Sequence, residues 1–452
     1  SGDRSGGRHG RCDMIGRVIV AGGGTGGHLF PGLAVVEELR RREPGLEVLF
    51  VGTARGIEAR LLPARSEKLE LLAVRPLKGR GAGDLLRGLG VLPGAVGHAA
   101  SIVRRFQPDL VLGVGGYAAG PVIAAAATLG RPTALLEQNA HVGLTNRLLA
   151  PLIGRAYVTF PRTAARFPDK RVRVCGNPVR RAFVDAARRA MTDPAGFEAR
   201  SRTILVLGGS QGARALNETV PGALALARLH ERGYEVVHQS GEAMRDAVEA
   251  RYAELGIPAR VVPFIDDMAR AYADAAVVVG RAGATTVAEL CAIGRPAILV
   301  PYPHAADDHQ RKNAEALEAE GAARCIPQEE LSAERLAGTL EPVLADPGRR
   351  RTMAEAARRF GRPDAAAAIV DDLCDWLGCT EVRDDEAPPP AVGVDDREPE
   401  EPEPGGPAGG RALRGRRPYL PYGARVHARM RAWVADRPAA KRPLIAHPSL
   451  LE

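Results

Sequence analysis

The chain has 452 residues, 45% of them hydrophobic and 4% aromatic, with a formal net charge of +8 at pH 7. This length exceeds what one hydrophobic core serves, so we expect two α/β domains, and no apolar run is long enough to span a bilayer. The six cysteines form no CxxC pair, which favours reduced thiols in the cytoplasm over disulfides or zinc. The basic balance favours anionic substrates or an anionic membrane surface, whereas no aromatic-rich basic motif supports nucleic acid.

The two ends of the chain lack the apolar pattern of a folded domain. Residues 1–13 are rich in Gly and Arg and contain no signal-peptide core, so we expect a disordered leader. Residues 380–410 are rich in Pro, Gly and acidic residues, and 411–452 are rich in Arg and Pro. We therefore expect a disordered linker followed by a basic tail over 380–452.

A strand, a glycine loop and a helix open the first predicted domain. The predicted strand Arg17-Val-Ile-Val-Ala-Gly22 leads into Gly22-Gly-Gly-Thr-Gly-Gly-His28, in which Gly22, Gly24 and Gly27 have the G-x-G-x-x-G spacing of a phosphate-binding loop. No Lys-Ser or Lys-Thr pair follows the glycines, which excludes a Walker P-loop.

The end of the second predicted strand argues against a dinucleotide. That strand, residues 47–51, ends in Gly52-Thr-Ala54, without the acidic residue that binds the ribose of NAD. His28 is the unusual residue of the first loop. In a structural role, its side chain caps the helix or packs against neighbouring residues. In a functional role, it acts as a base or contacts a ligand at the mouth of the loop.

The segment 75–93 mixes aliphatic residues with the cations Lys78, Arg80 and Arg87. Apolar side chains beside cations are typical of a peripheral membrane contact. A core helix with a solvated face would give the same pattern.

Polar residues follow two further strands of the first half. Tyr117 comes after the strand near 109–113, and Glu137-Gln-Asn139 follows the strand 133–136. Because open α/β sheets bind ligands beyond the carboxyl ends of their strands, these residues are candidates for a site.

The pattern restarts in the second half. A strand at 202–207 runs into Gly208-Gly-Ser-Gln-Gly-Ala-Arg214, a second phosphate-type loop. Two such halves in one chain are far more specific than either loop alone.

The strand 275–279 leads into a helix that begins near Gly283, with Thr285 and Thr286 in its first turn. A helix start offers unpaired N–H groups and a positive dipole end, which suit a diphosphate. Glu289, one turn further in, would reach neutral ribose hydroxyls. An ordinary strand–loop–helix unit is the alternative.

The loop after residue 301 is polar, with Gln310 and Asn313 suited to sugar hydroxyls. His304, Asp307 and His309 are a possible metal set, but their spacing matches no standard zinc motif. A final amphipathic helix begins near Pro363.

Six motifs together resemble those of the bacterial enzymes that form lipid II, the undecaprenyl-diphospho-muramoyl-pentapeptide β-N-acetylglucosaminyltransferases of glycosyltransferase family 28. The resemblance covers residues 14–378 in order. Its motifs are Gly22–Ala34, Gly115–Pro121, Glu137–Asn139, Gly176–Arg180, Gly208–Arg214 and Arg281–Glu289.

The resemblance implies a GT-B fold, with two Rossmann-like domains and a deep cleft between them. Residues 14–179, joined by a returning helix at 363–379, would form the acceptor and membrane domain, and 180–362 the UDP-sugar domain. The implied reaction is an inverting transfer of N-acetylglucosamine from its UDP-sugar to the C4 hydroxyl of lipid I, without a metal or cofactor. It places the protein peripherally on the cytoplasmic face of the cell membrane, with other cell-wall synthesis proteins as partners.

The resemblance also implies roles for individual residues. His28 is the candidate base, and Tyr117 and Glu137 lie on the acceptor side. The residues implied for UDP-N-acetylglucosamine are Thr25, Gly26, Gly27, Asn139, Arg180, Ser210, Ile265, Ala284, Thr285, Thr286, Val287, Ala288, Glu289 and Gln310.

Two other functions fit the same twin-domain plan. One is a UDP-sugar 2-epimerase, which needs no lipid acceptor, and the other is a non-enzymatic nucleotide-sugar-binding scaffold at the membrane. The fate of the sugar distinguishes the three functions. A transferase moves the sugar to lipid, an epimerase isomerises the free UDP-sugar, and a scaffold binds it without turnover.

Overall fold

The computed structural model describes residues 15–74, 82–193, 201–209 and 212–378, without the side chains of 82–92 and 306. The predicted leader (1–13) and tail (380–452) lie outside these residues. So do Lys78, Arg80 and the side chain of Arg87, on which the predicted membrane segment rests.

In the first half, the described residues form a parallel sheet of seven strands in the order β3-β2-β1-β4-β5-β6-β7. Its central strands are buried on both faces, which is why they read as continuous apolar runs. The strands are β1 Arg17–Gly22, β2 Glu47–Gly52, β3 Leu69–Leu71, β4 Leu110–Gly115, β5 Thr133–Glu137, β6 Arg155–Val158 and β7 Val172–Val174.

In the second half, the described residues form a parallel sheet of six strands in the order β10-β9-β8-β11-β12-β13. Strand β11 is buried along its whole length. The strands are β8 Thr203–Leu207, β9 Glu235–Gln239, β10 Ala259–Val262, β11 Ala275–Gly280, β12 Ala297–Leu299 and β13 Ala323–Cys325.

Helices connect the strands, as parallel pairing requires. Those of the first half and its link are α1 Gly26–Arg42, α2 Glu58–Ala64, α3 Ala82–Phe106, α4 Ala119–Thr128, α5 Leu144–Leu149, α6 Pro161–Ala164 and α7 Arg181–Thr192. Those that follow are α8 Arg214–Ala227, α9 Arg245–Glu254, α10 Met268–Asp274, α11 Ala284–Ile293, α12 His309–Ala319, α13 Ala333–Ala345, α14 Pro347–Phe360 and α15 Ala365–Leu377.

Both sheets reverse their strand order at one point, between β1 and β4 in the first and between β8 and β11 in the second. Reversal points of this kind are where open α/β sheets bind ligands. The first glycine loop follows β1, and the loop leading to α11 follows β11. The predicted pair of Rossmann-like sheets is confirmed, and the candidate residues gather at these two points.

The last helix, α15, packs on the first half. Ile369, Val370 and Leu373 are fully buried in the core that also contains β1 and α1. The Asp372 carboxylate accepts from Arg155 Nε at 3.0 Å, Arg173 Nε at 2.8 Å and the Tyr157 hydroxyl at 2.9 Å. Strands β6 and β7 are thereby fastened to a helix more than 190 residues further along the chain.

Asp372→Ala should lower the free energy of unfolding by about 2 kcal/mol, because it leaves two half-buried arginines and a tyrosine hydroxyl without their acceptor. The neighbouring Asp371 is a matched control, since its carboxylate binds Arg42 at 2.6 Å but is 58% exposed. Asp371→Ala should cost no more than about 0.5 kcal/mol. Urea unfolding of both variants measures the difference, and equal losses would contradict it.

Candidate functional site

The first turns of α1 and α11 face each other across the two halves. A Cβ atom on Gly27, in the first turn of α1, would lie only 3.9 Å from Thr285 Oγ1, in the first turn of α11. Each helix start presents unpaired N–H groups and a positive dipole end toward the same space. The geometry favours an anionic ligand between them.

His28 lies half-buried in the first turn of α1. Its ring packs on Gly115, whose φ of +94° and 2.7 Å separation from a built Cβ to His28 Cδ2 leave room for glycine alone. Nδ1 lies 3.4 Å from Thr25 Oγ1. Burial lowers the pKa of His28, so the ring is neutral at pH 7, the state that a general base requires.

Arg180 joins the two halves. It stands at the start of α7, and its guanidinium lies 5.1 Å from the ring centre of Phe30 and 5.0 Å from that of Phe183. One of its nitrogens donates to Glu289 Oε1 at 2.9 Å. Phe30 belongs to α1 and Glu289 to α11, so one side chain contacts both facing helices.

Glu289 is buried in the second turn of α11. Burial raises its pKa to about 7, although Arg180 acts in the opposite direction. The carboxyl therefore titrates near neutral pH, which is unusual for a structural acid and common at functional sites.

Asn313 on α12 holds a second contact between the halves. Its Oδ1 accepts from the Ala140 N–H at 2.9 Å, and its Nδ2 donates to the Ala282 carbonyl at 3.1 Å. The same Nδ2 lies 3.4 Å from Asn139 Oδ1. Asn139 is thus fixed beside the loop that leads into α11.

Several buried polar atoms near the facing helices lack a hydrogen-bond partner among the described residues. They are Thr285 Oγ1, Arg180 Nε, Asn177 Oδ1 and Gln138 Oε1. A buried polar atom without a partner costs about 1–3 kcal/mol. Their concentration here indicates a site built for a polar ligand.

Other residues that are predicted to bind the UDP-sugar lie in the second half of the chain. Ala284 to Glu289 form the first turns of α11, and Gln310 follows the first residue of α12 and accepts from the Tyr302 N–H at 3.0 Å. Ile265 is nearly buried after β10, beside Phe264, which is 56% exposed. Ser210 lies outside the described residues.

The two predicted acceptor-side residues differ in exposure. Tyr117 is 47% exposed beyond β4 and is free to meet a ligand. Glu137 is buried, with Oε2 accepting from Gly143 N–H and Asn146 Nδ2 at 3.0 Å each, and burial raises its pKa. Its geometry is that of a residue that shapes the loop after β5.

The described residues contain no group of three His, Cys, Asp or Glu side chains placed to hold one metal ion. His304, Asp307 and His309, the set considered from the sequence, are therefore not brought together as ligands.

Two contributors to the site escaped the sequence analysis. Phe30 stacks on Arg180, and the fully buried Glu58 accepts from the Gly24 N–H of the first glycine loop at 2.7 Å. Glu58 lies six residues beyond the end of β2, just past the position where an acid is sought in a dinucleotide site. The sequence signal for Phe30 is its position, since it is an aromatic residue that follows His28 by two positions.

Comparison with known proteins assigns the family. The Glycosyltransferase family 28 N-terminal domain matches residues 18–158, and the Glycosyltransferase family 28 C-terminal domain matches residues 203–369. A protein of Sorangium cellulosum is 49% identical over 360 residues, 79% of this chain and 87% of that protein. This chain belongs to glycosyltransferase family 28. That relative is named a UDP-N-acetylglucosamine–N-acetylmuramyl-(pentapeptide) pyrophosphoryl-undecaprenol N-acetylglucosamine transferase.

Solved structures agree with the family 28 assignment. MurG of Acinetobacter baumannii matches with a TM-score of 0.64 and 33% identity, covering 80% of this chain and 99% of that one. A UDP-GlcNAc 2-epimerase of Neisseria meningitidis matches with a TM-score of 0.57 at 14% identity, covering 80% of this chain and 100% of that one. The second likeness shows the shared fold alone, and the predicted GT-B fold is confirmed.

Glu289 predicts a pH dependence of stability. Its folded pKa of about 7 lies above the unfolded value of 4.5, so the folded state binds the extra proton, and stability falls as pH rises between these values. Glu289→Gln removes this dependence. Between about pH 5 and about pH 8, the variant should gain about 3 kcal/mol relative to the unmodified protein in urea unfolding. Parallel pH curves would contradict the expected shift.

Proposed function

We propose that this chain transfers N-acetylglucosamine from UDP-N-acetylglucosamine to the C4 hydroxyl of the muramoyl unit of lipid I, forming lipid II. The observation that carries the proposal is the pair of facing helix starts, built from the motifs of a family 28 chain. The relative that is 49% identical carries this activity in its name. The chain is accordingly a hexosyltransferase.

On the donor side, the start of α11 receives the diphosphate. Its N–H groups and the unpartnered Thr285 hydroxyl offer donors to phosphate oxygens, and Arg180 supplies the positive charge. Ser210, Asn139, Thr25, Gly26 and Gly27 stay predicted contacts of the same donor. Glu289 binds the ribose, Ile265 and the exposed Phe264 meet the uracil, and Gln310 binds the sugar.

The reaction needs a base and a stabilised leaving group. His28 takes the proton of the acceptor hydroxyl, whose oxygen forms a bond to the sugar C1 as the bond from C1 to the UDP oxygen breaks. The electron pair leaves with UDP, and the fixed dipoles of α11 together with Arg180 stabilise the charge that develops there. Attack opposite the leaving group inverts the anomeric centre.

The acceptor approaches from the first half, where Tyr117 is exposed beyond β4. Glu137 supports this side indirectly, since its carboxylate holds the loop 139–146 in place.

Radiolabelled UDP-N-acetylglucosamine incubated with a lipid I analogue tests the proposal. Label in the lipid product supports transfer. Isomerised free UDP-sugar would indicate an epimerase, and binding without turnover a scaffold.

His28→Ala should lower kcat by roughly 10²–10⁴, the usual contribution of a general base, with little change in affinity for UDP-N-acetylglucosamine. Steady-state transfer kinetics and donor binding by calorimetry measure the two quantities. A variant with full kcat would show that another group removes the proton.

We further propose that the first half binds the cytoplasmic face of the membrane through an exposed leucine stripe. Leu144, Leu148 and Leu152 recur every four residues from α5 onward and are 41%, 61% and 47% exposed, with the exposed Arg147 among them. Apolar side chains beside a cation suit an anionic lipid surface. Among the described helices, none is both long and apolar enough to cross a bilayer. Contacts with other cell-wall synthesis proteins stay a prediction.

Leu148→Asp should reduce binding to anionic lipid vesicles, because it places a negative charge on the stripe. Leu226, 57% exposed on α8 of the second half, provides the matched control. Sedimentation with vesicles measures bound protein, and equal losses for Leu148→Asp and Leu226→Asp would contradict the assignment of the surface.

A further inference from the structure

A carboxylate lies fully buried behind the first glycine loop. Glu58 begins α2 and has no exposed surface. Its Oε2 accepts from the Gly24 N–H at 2.7 Å, and its Oε1 accepts from the Thr53 N–H at 2.9 Å and the Thr53 hydroxyl at 3.0 Å. Both oxygens are thus engaged within the protein.

The chain makes room for this carboxylate with glycines. A Cβ atom on Gly23, Gly52 or Gly56 would overlap the Glu58 side chain. Three positions, in the first glycine loop, at the end of β2 and in the loop after β2, are therefore restricted to glycine by one acidic side chain. A residue that served only to fill space would not need donors on both oxygens as well.

The peptide group between Gly23 and Gly24 connects Glu58 to the residue on which His28 packs. The Gly24 N–H donates to the Glu58 carboxylate at 2.7 Å. The Gly23 N–H donates to the Gly115 carbonyl at 3.1 Å, and the His28 ring packs on Gly115. Glu58 therefore holds the part of the first glycine loop that is bonded to the residue beneath the His28 ring.

We infer that Glu58 is a positioning residue for His28, acting through the Gly23–Gly24 peptide and Gly115. The inference rests on the proposed role of His28 as the base. It assigns Glu58 a function in the reaction although the side chain touches no substrate.

The arrangement has two physical effects. Glu58 fixes the peptide that is bonded to Gly115, and Gly115 supports the His28 ring, so the imidazole keeps the orientation that proton abstraction requires. The buried charge of Glu58 also raises the pKa of His28.

Other groups also act on the ring. Burial and His309 of α12 lower the pKa of His28, whereas Glu58 and the Gly23 backbone raise it. Removing the Glu58 charge should therefore lower that pKa and yield a weaker, less firmly oriented base.

Glu58→Gln tests this positioning role in the full chain. We expect the acidic limb of the kcat profile to move to lower pH, and the plateau kcat to fall up to about a hundredfold, the cost of misplacing a reacting group by about 1 Å. The KM for UDP-N-acetylglucosamine should change little. An NMR titration of the His28 ring should show its pKa lowered in the variant.

Asp109→Asn is the matched control, because Asp109 also accepts from backbone N–H groups, those of Gly16 and Arg17, but at the opposite end of β1. It should leave the pH profile and the His28 pKa unchanged. A Glu58→Gln protein with an unshifted profile and an unshifted His28 pKa would overturn the inference while leaving the transfer reaction intact.

The remaining outcomes are also decisive. If the unmodified protein transfers no label, the proposed function fails, and the NMR titration alone decides whether Glu58 acts on His28. If Glu58→Gln does not fold, Glu58→Asp keeps the charge but is too short to reach Gly24, and it should lower the His28 pKa to a smaller extent. If neither variant folds, the carboxylate serves folding and the inference is wrong.

Discussion

Two helix starts that point at each other are the constraint on which this structure depends. The positive ends of α1 and α11 repel when nothing lies between them. Each half places a buried carboxylate close to its own helix start, Glu58 behind the first glycine loop and Glu289 in the second turn of α11. These two acids offset the repulsion without occupying the space between the helices, so that space stays available for an anion.

Arg180 links the two halves through direct contacts. Its guanidinium is shared by two aromatic rings and a carboxylate that come from three helices. A diphosphate that attracts Arg180 would compete with Glu289 for it, and Glu289 would then be available to neutral hydroxyls. The proposed binding of phosphate and of ribose would thus be coupled through one side chain.

The sequence predicted the features that depend on local order. The two strand–glycine loop–helix units span 26 residues (17–42) and 25 residues (203–227), and both Rossmann-like sheets follow from repeating that unit. Glu58 was missed because its role depends on β2 lying beside β1, a pairing between distant residues that carries α2 to the first glycine loop. The burial of Glu137 was missed for a related reason. The sequence pattern at a strand end is the same whether an acidic side chain points toward a ligand or back into its own loop.

The chain passes between the two halves twice, and the two passages touch. Gly176 leaves the first half at a φ of +87°, and a Cβ there would meet the Arg362 side chain on the returning passage. Two adjacent connections at one place permit rotation about the line that joins them but oppose sliding and twisting. A rotation of this kind would change the separation between the two facing helix starts without shifting one past the other.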